Sequence, residues 1–388
     1  MTKPEIPSSR WFSLLMLMLS VLVIALAGRE FRSVHEKQVI VRGPGVTAVV
    51  PLSRYFPGLQ NTAGDTDVYI LESSQPGGTL LILGGVHANE PAGMLTAVVV
   101  IENAKLNQGR CLVIPQANAS AATHVEPSEG FPTRFSIRSA GGAARWFRFG
   151  GRLTNPIHQW PDPEVYTHYP SGQLQSDFDV RNLDRAFPGR PDGCLTEKIA
   201  YGITQLIRAE KPDLTIDLHE ARPMNPIVNC VISHERAQEI STLAAINLES
   251  AGIRLRLEPS PNNLHGMSHR ELGDHTATTA LLMETANPII DRLHGRASEK
   301  LILDGRDEFF RQAAQKDLLY VPYGREGLPM EERVGRHLGA LLVFIQLLGE
   351  LIPGKTMVIE NLPGYQDVKK NGIGGFLREL PRTVTPPR

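Results

Sequence analysis

Cysteine is scarce in this chain. Its 388 residues include three, Cys111, Cys194 and Cys230, and no two form a C-x-x-C pair. A thiolate zinc site of the finger kind is therefore not expected. Cys111 and Cys230 fall in apolar, strand-like stretches, Arg110 to Pro115 and Ile227 to Ser233, so buried free thiols are expected before a disulfide. An excess of one charge is also missing. Forty basic residues face 41 acidic ones, the net charge is −1, and no long run of like charge occurs. That argues against a general nucleic-acid binder and against an interaction tail. No G-x-S-x-G elbow occurs, which argues against a typical serine α/β-hydrolase. No internal repeat is visible. What is present is the balance of a globular protein, 41% hydrophobic and 21% charged, with length for one large α/β domain or two average ones.

The first 30 residues differ from the rest. Lys3 and Arg10 precede an uncharged run from Trp11 to Ala27, and Ala25-Leu26-Ala27 is a small-x-small pattern just before Gly28. A basic start, an apolar core and an A-x-A end describe a secretory signal. An uncleaved membrane anchor is the other reading, for a run slightly shorter than the roughly 20 residues of a usual span. Both place the remaining chain outside the cytoplasm, periplasmic or secreted, touching a membrane only through residues 1–27.

Beyond residue 60 the chain alternates. Thr79 to Leu83 is a short apolar run ended by Gly84-Gly85, read as a buried strand. Pro91 to Asn103 reads as a helix with Pro91 in its first turn, and Cys111 to Pro115 as a second strand. Strand, helix, strand at this spacing predicts a βαβ unit and a parallel sheet. Between about 119 and 193 the alternation stops. Gly, Pro and aromatics (Trp146, Phe147, Phe149, Trp160, Tyr166, Tyr169) mark an insertion expected to be a binding loop or lid. Alternation returns with helices at Glu197 to Glu210, Glu235 to Ala251, Ser298 to Lys316 and Glu331 to Ile352. Strands are expected at Leu214 to Leu218, Pro226 to Ser233 and Thr278 to Met283. We read 28–352 as one catalytic domain and 353–388 as a tail.

Three segments carry chemistry. In Gly84-Gly85-Val86-His87-Ala88-Asn89-Glu90-Pro91, a His and a carboxylate three apart follow a buried strand, where open α/β sheets bind ligands. Alone this pair is as easily a solvated His and a Glu favoured by a helix N-terminus. Thr215-Ile216-Asp217-Leu218-His219-Glu220 adds a second His at a strand end. His87, Glu90 and His219 then make a three-ligand set suited to one catalytic zinc ion, with a position left open for water. Asp217 is placed to orient a ligand, or is simply a buried polar residue. Leu281-Leu282-Met283-Glu284 ends a third apolar run with a carboxylate, the natural general base and later acid.

The order H-x-x-E, a lone strand-end His and a later strand-end Glu resembles the zinc carboxypeptidase superfamily. Within it, the succinylglutamate desuccinylase/aspartoacylase family is most similar. The separations, 129 residues from Glu90 to His219 and 65 on to Glu284, are compatible with it. Arg181-Asn182-Leu183-Asp184-Arg185-Ala186-Phe187-Pro188-Gly189 resembles that family's N-R-x-F-P-G segment. The resemblance implies that Arg185, with Arg181 and Asn182, binds a substrate carboxylate or acyl group. Asp184 departs from it, standing where relatives have Asn. The resemblance also implies a further arginine at the transition state, with Arg145, Arg148, Arg152 and Arg181 as candidates. It covers roughly residues 65 to 350.

Two patterns are set aside. Gly349 to Thr356 matches a P-loop literally but follows a helix, precedes no helix and leaves 32 residues after it. His265, His269 and His275 with Glu271 and Asp274 lack a strand or helix to fix a metal site and are read as a loop.

The expected fold is a doubly wound α/β domain, its sheet mostly parallel or mixed, with helices on both faces. The expected function is zinc-dependent amide hydrolysis, removal of an acyl group from an N-acyl amino acid or similar small molecule. The alternatives are an exported metallocarboxypeptidase acting on peptides or cell-wall fragments, and a non-catalytic envelope binding protein. A nucleotide-binding protein is a distant further reading.

Overall fold

The computed structural model describes residues 10–126, 130–290 and 293–380. In chain order the described strands are Val46–Pro51 (β1), Asp67–Glu72 (β2), Thr79–Gly84 (β3), Lys105–Gln108 (β4), Arg110–Ile114 (β5), Arg134–Arg138 (β6), Ala144–Arg148 (β7), Tyr166–Thr167 (β8), Leu174–Gln175 (β9), Leu214–Ala221 (β10), Cys230–Ser233 (β11), Arg256–Pro259 (β12), Thr279–Ala286 (β13) and Val358–Glu360 (β14). The helices are Arg10–Ser33 (α1), Pro91–Asn103 (α2), Leu195–Glu210 (α3), Gln238–Ser250 (α4), Ser268–His275 (α5), Glu299–Asp304 (α6), Glu308–Ala314 (α7), Met330–Leu351 (α8) and Tyr365–Asn371 (α9).

Eight strands share one mixed sheet in the order β1-β2-β5-β3-β10-β13-β11-β12. Its middle is parallel: β5, β3, β10 and β13 run the same way. Parallel strands covered on both faces read as unbroken apolar runs, and β3 is one. Leu80 and Ile82 join the core on the side of α2 and α8, while Leu81 and Leu83 join Ile199 and Ile203 of α3 on the other. Helices therefore cover both faces, as expected. Glycine sets one interlayer distance: a Cβ on Gly93 would lie 2.2 Å from the Leu218 carbonyl oxygen, so only glycine lets α2 rest on the backbone of β10. This brings the start of α2 against the strand that carries His219.

Several segments depart from expectation. Ser298 to Lys316 is two helices, because Gly305 turns the chain at φ +59° and the Asp307 side chain caps α7. The 265–275 segment, expected as a loop, contains α5. The insertion holds two hairpins, β6/β7 and β8/β9. Residues past 353 fold back on the body. β14 pairs with β4, and Val368, Ile373 and Leu377 are buried. The P-loop-like stretch ends α8, and its Lys355 pairs with Asp213 at 2.8 Å. All three cysteines are free, with Cys111 and Cys230 buried.

Two long helices contrast. α8 has a membrane span's length and apolarity, but Leu338, Leu341, Phe344 and Leu348 are core residues. α1 has the same qualities and buries nothing. Its end is tied to the insertion: Glu30 pairs with Arg134 at 2.9 Å and Arg148 donates to the Ser33 carbonyl at 3.0 Å.

One buried carboxylate joins four distant stretches. Glu102 of α2 takes bidentate donation from Arg145 at 2.7 and 3.1 Å, and also accepts from Val41 N (3.2 Å) and Arg378 N (2.7 Å). Every nearby polar group thus finds a partner, which a fully buried ion pair requires.

Candidate metal centre

The ends of β3 and β10 meet at Glu90. This Glu precedes Pro91 at the start of α2, and its two oxygens face two imidazoles. His87 Nδ1 lies 2.9 Å from Oε1 and His219 Nδ1 lies 3.0 Å from Oε2. All three side chains are buried, and their ligand atoms lie within 4.8 Å of one another. The far nitrogens are backed by acceptors. His87 Nε2 donates to Asn182 Oδ1 at 2.9 Å. That amide is oriented by its own bonds, since Asn182 Nδ2 donates to Asp179 and Asp184 N donates to Oδ1. His219 Nε2 lies 2.9 Å from Asp217 Oδ2, off the line of a good hydrogen bond. With each Nε2 turned toward an oxygen acceptor, both Nδ1 atoms face Glu90.

Glu284 completes the group. The parallel register of β10 and β13 sets it directly beside His219. It is buried, and its Oε2 has no hydrogen-bond partner in the protein. Burial, and then the Glu90 charge, push its carboxyl well above the usual range. Burial also works against charge on Glu90, but His87 and His219 outweigh it and hold that carboxyl well below its ordinary value. For His219, burial is outweighed by the Asp217 and Glu90 carboxylates, which hold the imidazole well above its ordinary value.

These residues fit a divalent ion. Glu90, Asp217, Asp184 and Glu284 are four buried carboxylates around two imidazoles. Such a concentration of negative charge calls for a compensating cation. Two imidazoles and one carboxylate with an open side are the donor set of catalytic zinc.

The arginines separate clearly. Arg152 donates to Glu90 Oε1 at 3.0 Å and is the one of the four candidates at the centre. Arg145 is taken up by Glu102, and Arg148 reaches the end of α1. Arg181, expected at the substrate, is held by Asp162 at 2.8 and 2.9 Å and by the Thr154 carbonyl. Asn182, also expected at the substrate, spends its side chain on His87. Arg185 stands beside Asp184.

Several contributors went unassigned in the sequence. Ser268 at the start of α5 donates to Asp217 at 2.5 Å. Arg333 of α8 pairs with Glu220 at 2.9 Å, and Glu220 accepts from Ala92 N. His337 donates to the His219 carbonyl at 3.1 Å, and burial pulls its pKa to about 3. No sequence spacing signals these, because they come from helices remote in the chain. In the other histidine group, His168, His265 and Glu271 also bring ligand atoms within 4.8 Å of one another. His265 and His275 both sit on Glu271, and neighbouring His168 is occupied at both nitrogens by Ser171 Oγ and the Phe187 carbonyl.

No family model matches the chain. Its sequence is 28% identical over 161 residues to N-alpha-acetyl-L-2,4-diaminobutyric acid deacetylase of Halomonas elongata, covering 41% of this chain and 33% of that protein. This chain is similar to succinylglutamate desuccinylase/aspartoacylase family proteins. The chain spans about a third of the length of this curated relative. Among solved structures, a succinylglutamate desuccinylase/aspartoacylase from Rhodobacter sphaeroides matches 74% of this chain and 59% of its own, at 16% identity and TM-score 0.39. A metallo-carboxypeptidase from Burkholderia cenocepacia matches 82% of this chain and 66% of its own, at 11% identity and TM-score 0.43.

Proposed function

We propose that this chain is an exported, zinc-dependent amide hydrolase that removes an acyl group from an N-acyl amino acid or similar small molecule. The observation that carries this reading is the meeting of His87 Nδ1, Glu90 and His219 Nδ1 at adjacent strand ends, with the unpartnered Glu284 oxygen alongside. Similarity to a deacetylase supports the acyl-removing reaction. His87, Glu90 and His219 would hold one zinc ion per chain. When bound, zinc supplies Lewis acidity, polarising the scissile carbonyl and acidifying water.

The chain's own residues supply the proton traffic. Glu284 takes a proton from water at Oε2, and the water oxygen bonds to the acyl carbon. The C–N bond then breaks, and Glu284 returns the proton to the departing amine nitrogen. Arg152 stands by Glu90 to stabilise the oxyanion. Asn182 and Asp217 keep the imidazoles turned inward. Export rests on the apolar, unburied α1, as signal or as anchor.

A second reading, a metallocarboxypeptidase acting on peptides or cell-wall fragments, is favoured by the insertion. Ile157, Trp160, Tyr169 and Leu174 are exposed there, the kind of side chain that a larger substrate covers.

The deciding experiment is zinc content per chain, by elemental analysis, for the full chain in detergent and its His219→Ala variant. About one zinc in the first and little in the second is expected. Acyl-amino acids and peptides are then screened side by side. A folded parent that takes up no supplied zinc would remove the hydrolase reading and leave an envelope binding protein.

A further inference from the structure

The end of α1 and the β6/β7 hairpin enclose a cationic site far from any role in the hydrolytic chemistry. The chain leaving α1 runs along β7: Arg148 N donates to Gln38 Oε1 at 2.9 Å, and Gln38 Nε2 donates to the Trp146 carbonyl at 2.9 Å. Two cavities, of about 220 and 170 Å³, open beside this strap, and Lys37 and Arg148 line both. The smaller also has Arg134 and Trp146 in its wall, with the Arg134 guanidinium 5.5 Å from the Trp146 ring centre. These cations are unequally committed. Arg145 is taken up by Glu102, Arg134 pairs with Glu30 at 2.9 Å, and Lys37 pairs with Asp67 at 3.2 Å. Arg148 gives Nη2 to the Ser33 carbonyl at 3.0 Å, and its other guanidinium N–H groups find no partner among the described residues. Burial pulls its pKa to about 10, opposed only by Glu36 from beyond ion-pair distance. A half-buried guanidinium with no carboxylate of its own calls for an anion from outside the chain.

Depth points to the source of that anion. The uncharged run of α1 ends at Ala27, and Arg29, Glu30 and Arg32 follow. At about 1.5 Å of rise per residue, Glu30 to Ser33 lie roughly 4 to 9 Å past that end. The headgroup layer on each face of a bilayer is about 5 to 8 Å thick. Arg134 meets α1 at Glu30 and Arg148 meets it at Ser33, so both guanidinium groups sit at headgroup depth, where Trp also concentrates. We propose that the smaller cavity binds the phosphate of an anionic phospholipid from the membrane that α1 spans, with Arg148 as its principal donor and Arg134, Lys37 and Trp146 around it. The planar fork of a guanidinium suits phosphate oxygens. The proposal takes α1 as a retained anchor and is independent of the amide-hydrolase reading. A bound headgroup fastens the body to the bilayer at a second point besides the helix itself.

The test uses the full chain, delipidated in detergent, with phosphatidylglycerol or phosphatidylcholine added back and bound lipid counted by native mass spectrometry. Phosphatidylglycerol is expected to bind the parent about fivefold more tightly than phosphatidylcholine, and Arg148→Gln to remove that preference, since one basic residue at an anionic membrane surface contributes about that factor. Arg138→Gln, on the same hairpin but exposed and outside the cavity, is expected to change it less than about twofold. A parent without preference, or an Arg148→Gln as selective as the parent, overturns the proposal, and so does an equal loss in both variants. Inorganic phosphate that matches the affinity of the lipid shows a free-anion site and overturns the lipid assignment. A chain recovered from membranes without residues 1–27 overturns it through loss of the anchor. If Arg148→Gln does not fold, Trp11→Phe with Trp160→Phe leaves Trp146 as the sole tryptophan. Its fluorescence in bilayers is expected to be quenched more by nitroxides on the headgroup than by nitroxides deep in the acyl chains. The reverse order, or no quenching, overturns the proposal. Zinc content and hydrolysis enter none of these measurements, so the hydrolase reading stands or falls separately.

Discussion

The residues at the strand ends and those on the 177–185 loop reach the same centre by different means. His219 and Glu284 are placed by the parallel register of β10 and β13, and His87 and Glu90 by the short turn between β3 and α2. Asp184 and Arg185 sit on a three-ten turn capped by Asn182, and side-chain bonds tie Asn182 to His87 and Asp179, and Asp184 to Ser268 N. The first group can hold metal and move protons. The second backs the first, with Asn182 bonded to His87 and Asp184 close to His219. The ligand-type side chains are thus anchored at or just beyond strand ends, and their supports come from a loop.

Breaking the strand-end group gives the largest effect. Glu284→Gln should retain zinc and lose about 10²- to 10⁴-fold in kcat, measured at matched metal content. Arg152→Ala should lower kcat by about 10²-fold, with zinc content unchanged. Asn182→Ala and Asp217→Asn should each weaken zinc about 10- to 100-fold in competition with a chelator, because they release an imidazole from its support. If Asn182→Ala instead raises KM with zinc affinity intact, the loop residue is a substrate contact and the division fails. Arg181→Ala should leave kcat/KM nearly unchanged, its guanidinium being committed to Asp162.

The smallest effect lies away from the centre. Glu210 accepts from Tyr55 and Arg110, both at 2.5 Å. Burial opposes its charge, but these two partners outweigh it and lower its pKa. A carboxyl lowered by folding contributes stability above its unfolded value of about 4.3, and that contribution disappears as pH falls through the folded value. Glu210→Gln should therefore lower the melting temperature modestly at neutral pH and match the parent at strongly acid pH. A difference that persists in acid would show that packing, not charge, is lost.

The sheet was readable because parallel strands covered on both faces are largely apolar: β3 runs Leu80 to Leu83 and β13 runs Ala280 to Met283 without a polar residue. The ligand set was readable because each member follows directly on such a run. The loop was half readable. Its motif singled out Asn182 and Arg185, but the bonds that turn Asn182 to His87 and Arg181 to Asp162 depend on the path of the insertion, which has no period. Arg333 and His337 lie on a helix whose apolar face dominates its pattern, so their inward turn toward Glu220 and His219 left no trace in spacing. The break at Gly305 was visible as a glycine before Asp307, but the apolar pattern on both sides masked it.

Glu102 bears on when the centre can form. Its carboxylate binds groups from residues 41, 145 and 378 at once, on the helix whose first turn positions Glu90. Such contacts close very long loops, and long loop closure is slow. During synthesis the ligand pair 87 and 90 is present early, yet the helix behind it stays unbraced until residue 378 emerges. Bracing of the helix that carries the 87–90 turn thus depends on a segment 276 residues further along the chain.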